Sequence, residues 1–171
     1  MINFTLTTGE EIEALPVRRE SDGTIYVFVD CLCDEYPMNK KSTNEGGYDA
    51  SDLRKILNSD ILCSFPVEIK DHLIPFDNGD LLRIPTEKEI FGENPYGEEE
   101  PETTEQFEAM VMRRNRIAFQ GKNGDWEWYW LQNKMRDSAT GFACVYAYGG
   151  AGSSGASYSY GVRPCFKLSH N

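Results

Sequence analysis

The stretch WEWYWLQN (Trp126–Asn133), the tract YAYGGAGSSGASYSY (Tyr146–Tyr160) and the ending YGVRPCFKL (Tyr160–Leu168) decide the fold of this chain. Trp126, Trp128 and Trp130 alternate, which places them on one face of a predicted strand. Gly141–Tyr148 alternates in the same way, with Phe142, Cys144, Tyr146 and Tyr148 on one side. Val162–Leu168 reads as a further strand. Its Pro164 lacks an N–H, so a bulge or an edge position is expected there. The tract between these strands uses only Tyr, Gly, Ser and Ala. Tyr offers wide amphipathic contact at low entropy cost, and Ser and Gly offer adaptable hydrogen bonding. The expected form is a flexible, contact-rich loop over Gly149–Ser157 held between rigid strands, a common way to present a binding site. The bland alternative is a bare hairpin loop with no ligand.

Working upstream, Arg116–Gln120 is a predicted strand and Gly121–Gly124 a turn. Thr103-x-x-Gln106 offers a capping box for a helix through about Arg114, with Phe107, Met110 and Val111 as its apolar stripe. Thr86-Glu87-Lys88-Glu89 is another capping box, closed by Gly92. Leu81–Pro85 reads as extended. Ile61–Ile74 reads as helical, interrupted by Pro66, with Leu62, Phe65, Ile69 and Leu73 as core candidates. A helix from about Tyr48 to Asn58 takes Asp49 or Ser51 as its cap and buries Leu53, Ile56 and Leu57. Thr24–Cys33 is a strand apolar on both faces, hence largely covered, and Ile2–Leu6 is a shorter one. Helices segregated from a mainly antiparallel set of strands predict an α+β fold with long irregular central loops.

The chain has 171 residues, the length of a single domain. A hydrophobic share of 40% with 12% aromatics excludes a disordered chain. Net charge is −11. A nucleic-acid binder needs clustered cations to displace counterions, so that role is excluded. The acidic segment, about 93–105, reads as a solvated, mobile insertion without the carboxylate register of a calcium loop. No apolar run reaches membrane-span length, so no membrane insertion is expected. Of five cysteines (Cys31, Cys33, Cys63, Cys144, Cys165), an odd number leaves at least one thiol unpaired in a monomer. With no signal peptide in view, buried thiols in a reducing compartment are expected, in a cytoplasm or as part of a phage particle. Cys31-x-Cys33 with His72 and His170 is a poor zinc set. No cofactor or metal is implied.

These residues also resemble an uncharacterised bacterial and phage family. Its members carry a Y-x-x-S-x-L-R-x-x-L-N helix, a leucine-rich piece leading to a short E-containing helix, a WWLRS-type segment and a closing GVRPA-F-x-L. The corresponding residues are Tyr48–Asn58, Leu81–Glu89, Tyr129–Asn133 and Gly161–Leu168, and the similarity runs from about Ile25 to Leu168. The family looks like a branch of the C-type-lectin-like fold, related in fold to formylglycine-generating enzymes and to the variable proteins of phages and diversity-generating retroelements. The resemblance implies two helices packed on a twisted, mainly antiparallel sheet, with ligands contacted by late strands and the loops between them. Two departures stand out: Gln132-Asn133 replaces the family's Arg-Ser, and Cys165 replaces its small residue. The calcium-binding tripeptides of sugar-binding C-type lectins are absent, so calcium-dependent sugar binding is not implied.

The expected function is a non-catalytic recognition module, of phage or prophage derivation, that binds a protein or carbohydrate surface. Its contacts are expected from Gln132, Asn133, Tyr146, Tyr148, Ser153, Ser154, Tyr158 and Tyr160. Trp128 and Trp130 are expected in the core, although stacked tryptophans can also bind sugar rings. Arg163 is expected to be structural, its donors met by loop carbonyls or an acid such as Asp137. One alternative is a formylglycine-generating-like thiol oxidase using Cys144 and Cys165; another is a structural subunit of a phage particle. The oligomeric state is left open.

Overall fold

A computed structural model describes residues 1–170. Three strands come first: β1 (Ile2–Thr5), β2 (Glu11–Arg19) and β3 (Gly23–Phe28). A short 3-10 turn at Tyr48–Ala50 leads into α1 (Asp52–Ile56), which continues as a π-helical turn over Leu57–Ile61. Then come α2 (Val67–Lys70), β4 (Leu73–Ile74), β5 (Leu82–Arg83) and α3 (Glu87–Phe91). A 3-10 turn at Glu108–Val111 precedes α4 (Arg113–Arg116), β6 (Ala118–Phe119) and β7 (Trp126–Glu127). The last strands are β8 (Tyr129–Lys134), β9 (Gly141–Val145), β10 (Ala151–Gly155) and β11 (Cys165–Ser169). The larger sheet runs β1-β2-β3-β11-β4, with β5 also on β11; β10-β9-β8 form a second sheet and β6-β7 a small third. The ladders of all three sheets are antiparallel. The fold is therefore mixed α/β, with antiparallel sheets and few helices.

β11 lies at the centre of the larger sheet, flanked by β3 on one side and by β4 and β5 on the other. The edge or bulge expected at Pro164 is not found. Pro164 stands one residue before the ladder, where its missing N–H breaks nothing, and its carbonyl accepts from the Phe28 N–H at 3.0 Å. The nine-residue β2 has no counterpart in the sequence reading. Its Ile12 and Ala14 face the first apolar cluster and Leu15 and Val17 the second, but Pro16 masks the pattern, and the ladder with β3 shifts register between Pro16 and Arg18.

The helix at 52 starts on Ser51, whose hydroxyl accepts from the Arg54 N–H at 3.2 Å. It does not exit at Asn58. Leu57 and Ile61 are buried, and this apolar stripe draws the chain onward through the π turn. Asn58 instead clamps β5, accepting from the Leu81 and Leu82 N–H groups at 3.0 Å each and donating to the Leu82 carbonyl at 2.9 Å. Leu73–Ile74, expected to be helical, pairs with β11. The capping box of Thr86 and Glu89 forms as expected, and Gly92 closes α3 with φ 77°. Thr103-x-x-Gln106 starts no helix. Only the short 3-10 turn and α4 form there, with Phe107 and Met110 buried and Val111 exposed.

Two apolar clusters sit on opposite faces of the strands. One gathers Phe28, Phe65, Phe166, Trp130, Phe142 and Cys144; the other gathers Ile25, Val27, Tyr129, Ala143, Val145 and Cys165. Neighbouring residues of β3 and of β9 thus face different clusters, so both sheets are covered on both sides. Each large side chain fully buried in this way contributes about 1.5–3 kcal/mol. Trp130 is fully buried and Trp128 partly so, whereas Trp126 is exposed. The chain breaks at Trp128, which separates β7 from β8, so the three tryptophans do not share one strand.

Candidate functional site

The Tyr/Gly/Ser/Ala tract is not a flexible loop. Ala151–Gly155 forms β10 and pairs with all five residues of β9, from Ala151 opposite Val145 to Gly155 opposite Gly141. The reason lies in the partner strand and in the glycines. β9 is fully buried, so its far edge needs a hydrogen-bonded neighbour. The glycines then act as seats for tyrosine rings. A Cβ at position 152 would lie inside the Tyr146 ring, one at 150 would strike the Tyr148 ring, and one at 155 would press on Tyr158. A composition that resembles a pliable paratope is here the composition of ring-over-glycine packing across a hairpin.

The hairpin tip is fixed by Tyr146 N–H donating to the Gly150 carbonyl and Gly149 N–H to the Tyr146 carbonyl, both at 2.8 Å. Gly149 holds φ 83°, a conformation that favours glycine. From α4, Arg113 Nε donates to the Tyr148 carbonyl at 2.8 Å, and its guanidinium lies 5.8 Å from the centre of the Tyr148 ring. Beneath the hairpin, Trp128 stacks on Tyr160 with centroids 5.2 Å apart and meets Tyr146 at 4.3 Å. The hydroxyls of Ser154 and Tyr160 are 2.9 Å apart. Tyr148 and Tyr158 remain 55% and 64% exposed, one at each end of the hairpin.

The structure therefore brings Tyr146, Tyr148, Ser153, Ser154, Tyr158 and Tyr160 together on one hairpin. Gln132 and Asn133 lie elsewhere, on β8, with β9 between them and β10. Their amides are also committed internally. Gln132 Nε2 donates to the Ile84 carbonyl at 2.7 Å. Asn133 Oδ1 accepts from the Glu87 N–H at 2.9 Å, and its Nδ2 donates to the Glu98 carbonyl and to Glu100 Oε2. They border an open cleft of about 550 Å³ beside the acidic segment, which is a separate surface from the hairpin.

The acidic segment is pinned rather than solvated throughout. Glu87, buried at the start of α3, accepts from Asn94 Nδ2 and from the N–H groups of Tyr96 and Gly97. Burial raises its pKa, against the pull of those donors. Glu100 Oε2 accepts from Lys88 N–H, Asn94 Nδ2 and Asn133 Nδ2 at 2.8 to 2.9 Å. Arg136 closes the loop by donating to the carbonyls of Asn94, Pro95 and Gly97. Glu98, Glu99 and Glu102 stay exposed.

Among the described residues, Arg163 does not bond Asp137. Its side chain is buried; Nε donates to the Phe28 carbonyl at 2.6 Å and Nη1 to the Tyr129 hydroxyl at 2.9 Å. The cysteines are all free. Cys144 lies on β9 in the first cluster and Cys165 on β11 in the second, and burial pushes both thiols up to about 12. A carboxylate that sequence reading passed over is Glu127. It is buried beside Trp128, accepts from the Trp128 N–H at 2.9 Å, and is raised to about 7 by burial and by the charge of Glu35. Nothing in its local sequence marks it, because its burial arises from packing against Gly161 and Cys31. Among the described residues, no cluster of three His, Cys, Asp or Glu side chains is arranged to hold a metal ion, and no helix is long and apolar enough to cross a membrane.

Neither the curated proteins nor the solved structures compared with this chain give a match. Residues 22–170 match a family described as a domain of unknown function, DUF6273; the match takes in both larger sheets from β3 onward and the whole hairpin, and the chain belongs to that family.

Proposed function

We propose that the chain is a non-catalytic recognition module of C-type-lectin-like fold, of phage or prophage derivation, that binds a protein or glycan surface through the β9–β10 hairpin. One observation carries this reading. Two tyrosines stand largely exposed on a hairpin whose other rings are seated on glycines and stacked on Trp128. Exposed aromatic rings on a rigid support bind without a large ordering cost, which is what a recognition surface requires. The rest of the tract is uncharged, in a chain of net charge −11, so the hairpin is a neutral island suited to close contact. Gln132 and Asn133 are left out of this surface, since the Gln132 amide donates to the Ile84 carbonyl and the Asn133 amide holds the acidic segment.

The thiol-oxidase alternative asks Cys144 and Cys165 to exchange electrons with a substrate. Their sulfurs are sealed in different apolar clusters and are held protonated, which removes the thiolate that such chemistry needs. The particle-subunit alternative uses the same exposed hairpin as a subunit contact.

Labelled protein applied to a glycan array and to bacterial envelope proteins tests the recognition reading. Binding is expected, and a double variant, Tyr148→Ala with Tyr158→Ala, is expected to lose it while keeping the wild-type thermal transition. A ligand retained in full by that variant overturns the assignment of the surface.

A further inference from the structure

β10 ends its sheet. Its hydrogen-bonding pattern follows from the flanking bonds, Ala156 N–H to the Thr140 carbonyl and Tyr146 N–H to the Gly150 carbonyl. That parity turns the backbone of Gly152 and Ser154 toward β9 and the backbone of Ala151, Ser153 and Gly155 outward. The Gly155 carbonyl is met by the Tyr158 N–H at 3.2 Å. Among the described residues, the outward row at Ala151 and Ser153 faces no other strand.

Natural sheets guard such a row with Lys, Pro or a bulge. β10 reads Ala-Gly-Ser-Ser-Gly and its register with β9 is unbroken, so it carries none of these. Its side chains are the smallest available, which lets another backbone approach closely. The Tyr146 ring lies over Gly152 in the middle of this strand. Resting on the recognition reading above, we infer that the ligand is an extended polypeptide segment of a partner protein, added as a further strand on the free edge of β10.

Charge supports this occupant over a second copy of the chain. No charged residue occurs from Ser138 to Val162. At the tip end of β10 stands a cation, Arg113, whose Nε donates to the Tyr148 carbonyl and which among the described residues is paired with no carboxylate. At the other end Asn39 N–H donates to the Ala156 carbonyl at 3.1 Å, and the neighbouring Lys40 has the Asp52 carboxylate on its own N–H at 2.8 Å, so that end carries both signs. A partner strand with an uncharged centre and an acidic end at the tip meets this pattern. A second copy would bring a matching Arg113 and a further net charge of −11 to the same edge.

The probe is a displayed library of random nine-residue peptides selected on the purified full chain, with the most enriched sequence then synthesised. Enriched peptides are expected to have an alternating uncharged centre and an acidic residue at the end that meets Arg113. Ser153→Pro removes one outward N–H and blocks the edge without touching the β9 ladder. It should weaken the peptide about tenfold or more, the equivalent of one strand hydrogen bond or more. N-methylating alternate amides of the peptide should abolish binding in one phase and leave it intact in the other, a readout independent of how the protein variants fold. Peptides that bind Ser153→Pro as well as wild type, failure to enrich any peptide, or a β10-dependent dimer in sedimentation each overturn the strand-addition inference. A glycan lost with Tyr158→Ala but indifferent to Ser153→Pro overturns it too, while leaving the hairpin as the recognition surface.

Discussion

Arg163 donates through Nη1 to the Tyr129 hydroxyl at 2.9 Å, and that hydroxyl donates onward to the Arg116 carbonyl at 2.7 Å. Because Arg163 Nε holds the Phe28 carbonyl at 2.6 Å, one guanidinium ties the end of β3 in the larger sheet to β8 in the smaller. No ammonium reproduces this, since a point charge on a flexible stem cannot fork to two fixed oxygens.

Arg163→Lys and Arg163→Ala should therefore both destabilise the fold. The cost is expected to be about 3 kcal/mol for alanine, because the Phe28 carbonyl is left buried and the sheets lose their tie. Lysine should recover less than half of that. Urea unfolding followed by tryptophan fluorescence measures it, and a loss under about 1 kcal/mol for Arg163→Ala would contradict the tie.

The glycine seat under Tyr146 makes a coupled prediction. Gly152→Ala places a methyl group within the Tyr146 ring, so the ring must swing off the strand at a cost of about 1–3 kcal/mol. Removing the ring first should relieve the clash, so Gly152→Ala should cost much less in a Tyr146→Ala background. The coupling energy from the double-mutant cycle should thus be of order 1 kcal/mol or more. Additive effects would show that the ring does not occupy the glycine face.

Thiol titration separates the surface from the core. Cys33 and Cys63 are exposed, and Cys31, Cys144 and Cys165 are buried. An aromatic disulfide reagent at pH 8 should label two thiols in the folded protein and five in urea. Cys33 should be the slow one of the two, because a hydrogen bond with the Glu10 carboxylate and some burial push its thiol up to about 11. Rapid labelling of a third thiol under native conditions would mean that one of the two apolar clusters opens.

The alternation of β9 and β11 and the capping box at Thr86 could be read from local pattern, whereas the partners that hold Trp130 and Arg163, the Tyr36 carbonyl for one and Phe28 and Tyr129 for the other, lie far away in the chain. The misread elements depended on distant partners. β10 has the composition of a loop and becomes a strand only because β9 needs a neighbour and its glycines receive rings from Tyr146, Tyr148 and Tyr158. β2 was hidden by Pro16, whose effect on the ladder is absorbed by a bulge. The acidic run looked solvated because Asn94 and Asn133, which hold it around Glu87 and Glu100, are 39 positions apart in sequence. Gln132 and Asn133 leave the tryptophan segment close in sequence to the tract, yet β9 stands between them and β10.

Glu127 supplies a pH dependence whose sign can be worked out. Its carboxyl is raised from an ordinary 4.5 to about 7, first by burial and then by the charge of Glu35, and among the described residues no cation pairs with it. A carboxyl raised in the folded state binds its proton more tightly there than in the unfolded chain. Its contribution is fully present below about pH 4.5 and is lost as pH rises through about 7. Glu127→Gln, which keeps the shape and carries no charge, should match the wild type near pH 4. It should pull ahead steadily between about pH 4.5 and 7, and remain more stable by about 1 kcal/mol at pH 8, allowing for solvent screening at this partly open site. Carboxylates with the opposite shift, such as Glu89 held low by Arg83, are common to both proteins and cancel in the difference. Urea midpoints for the pair across pH 4 to 8 give the curve directly. A difference that is flat, or that grows toward acid, would show that Glu127 is ionised in the folded protein and has found a partner.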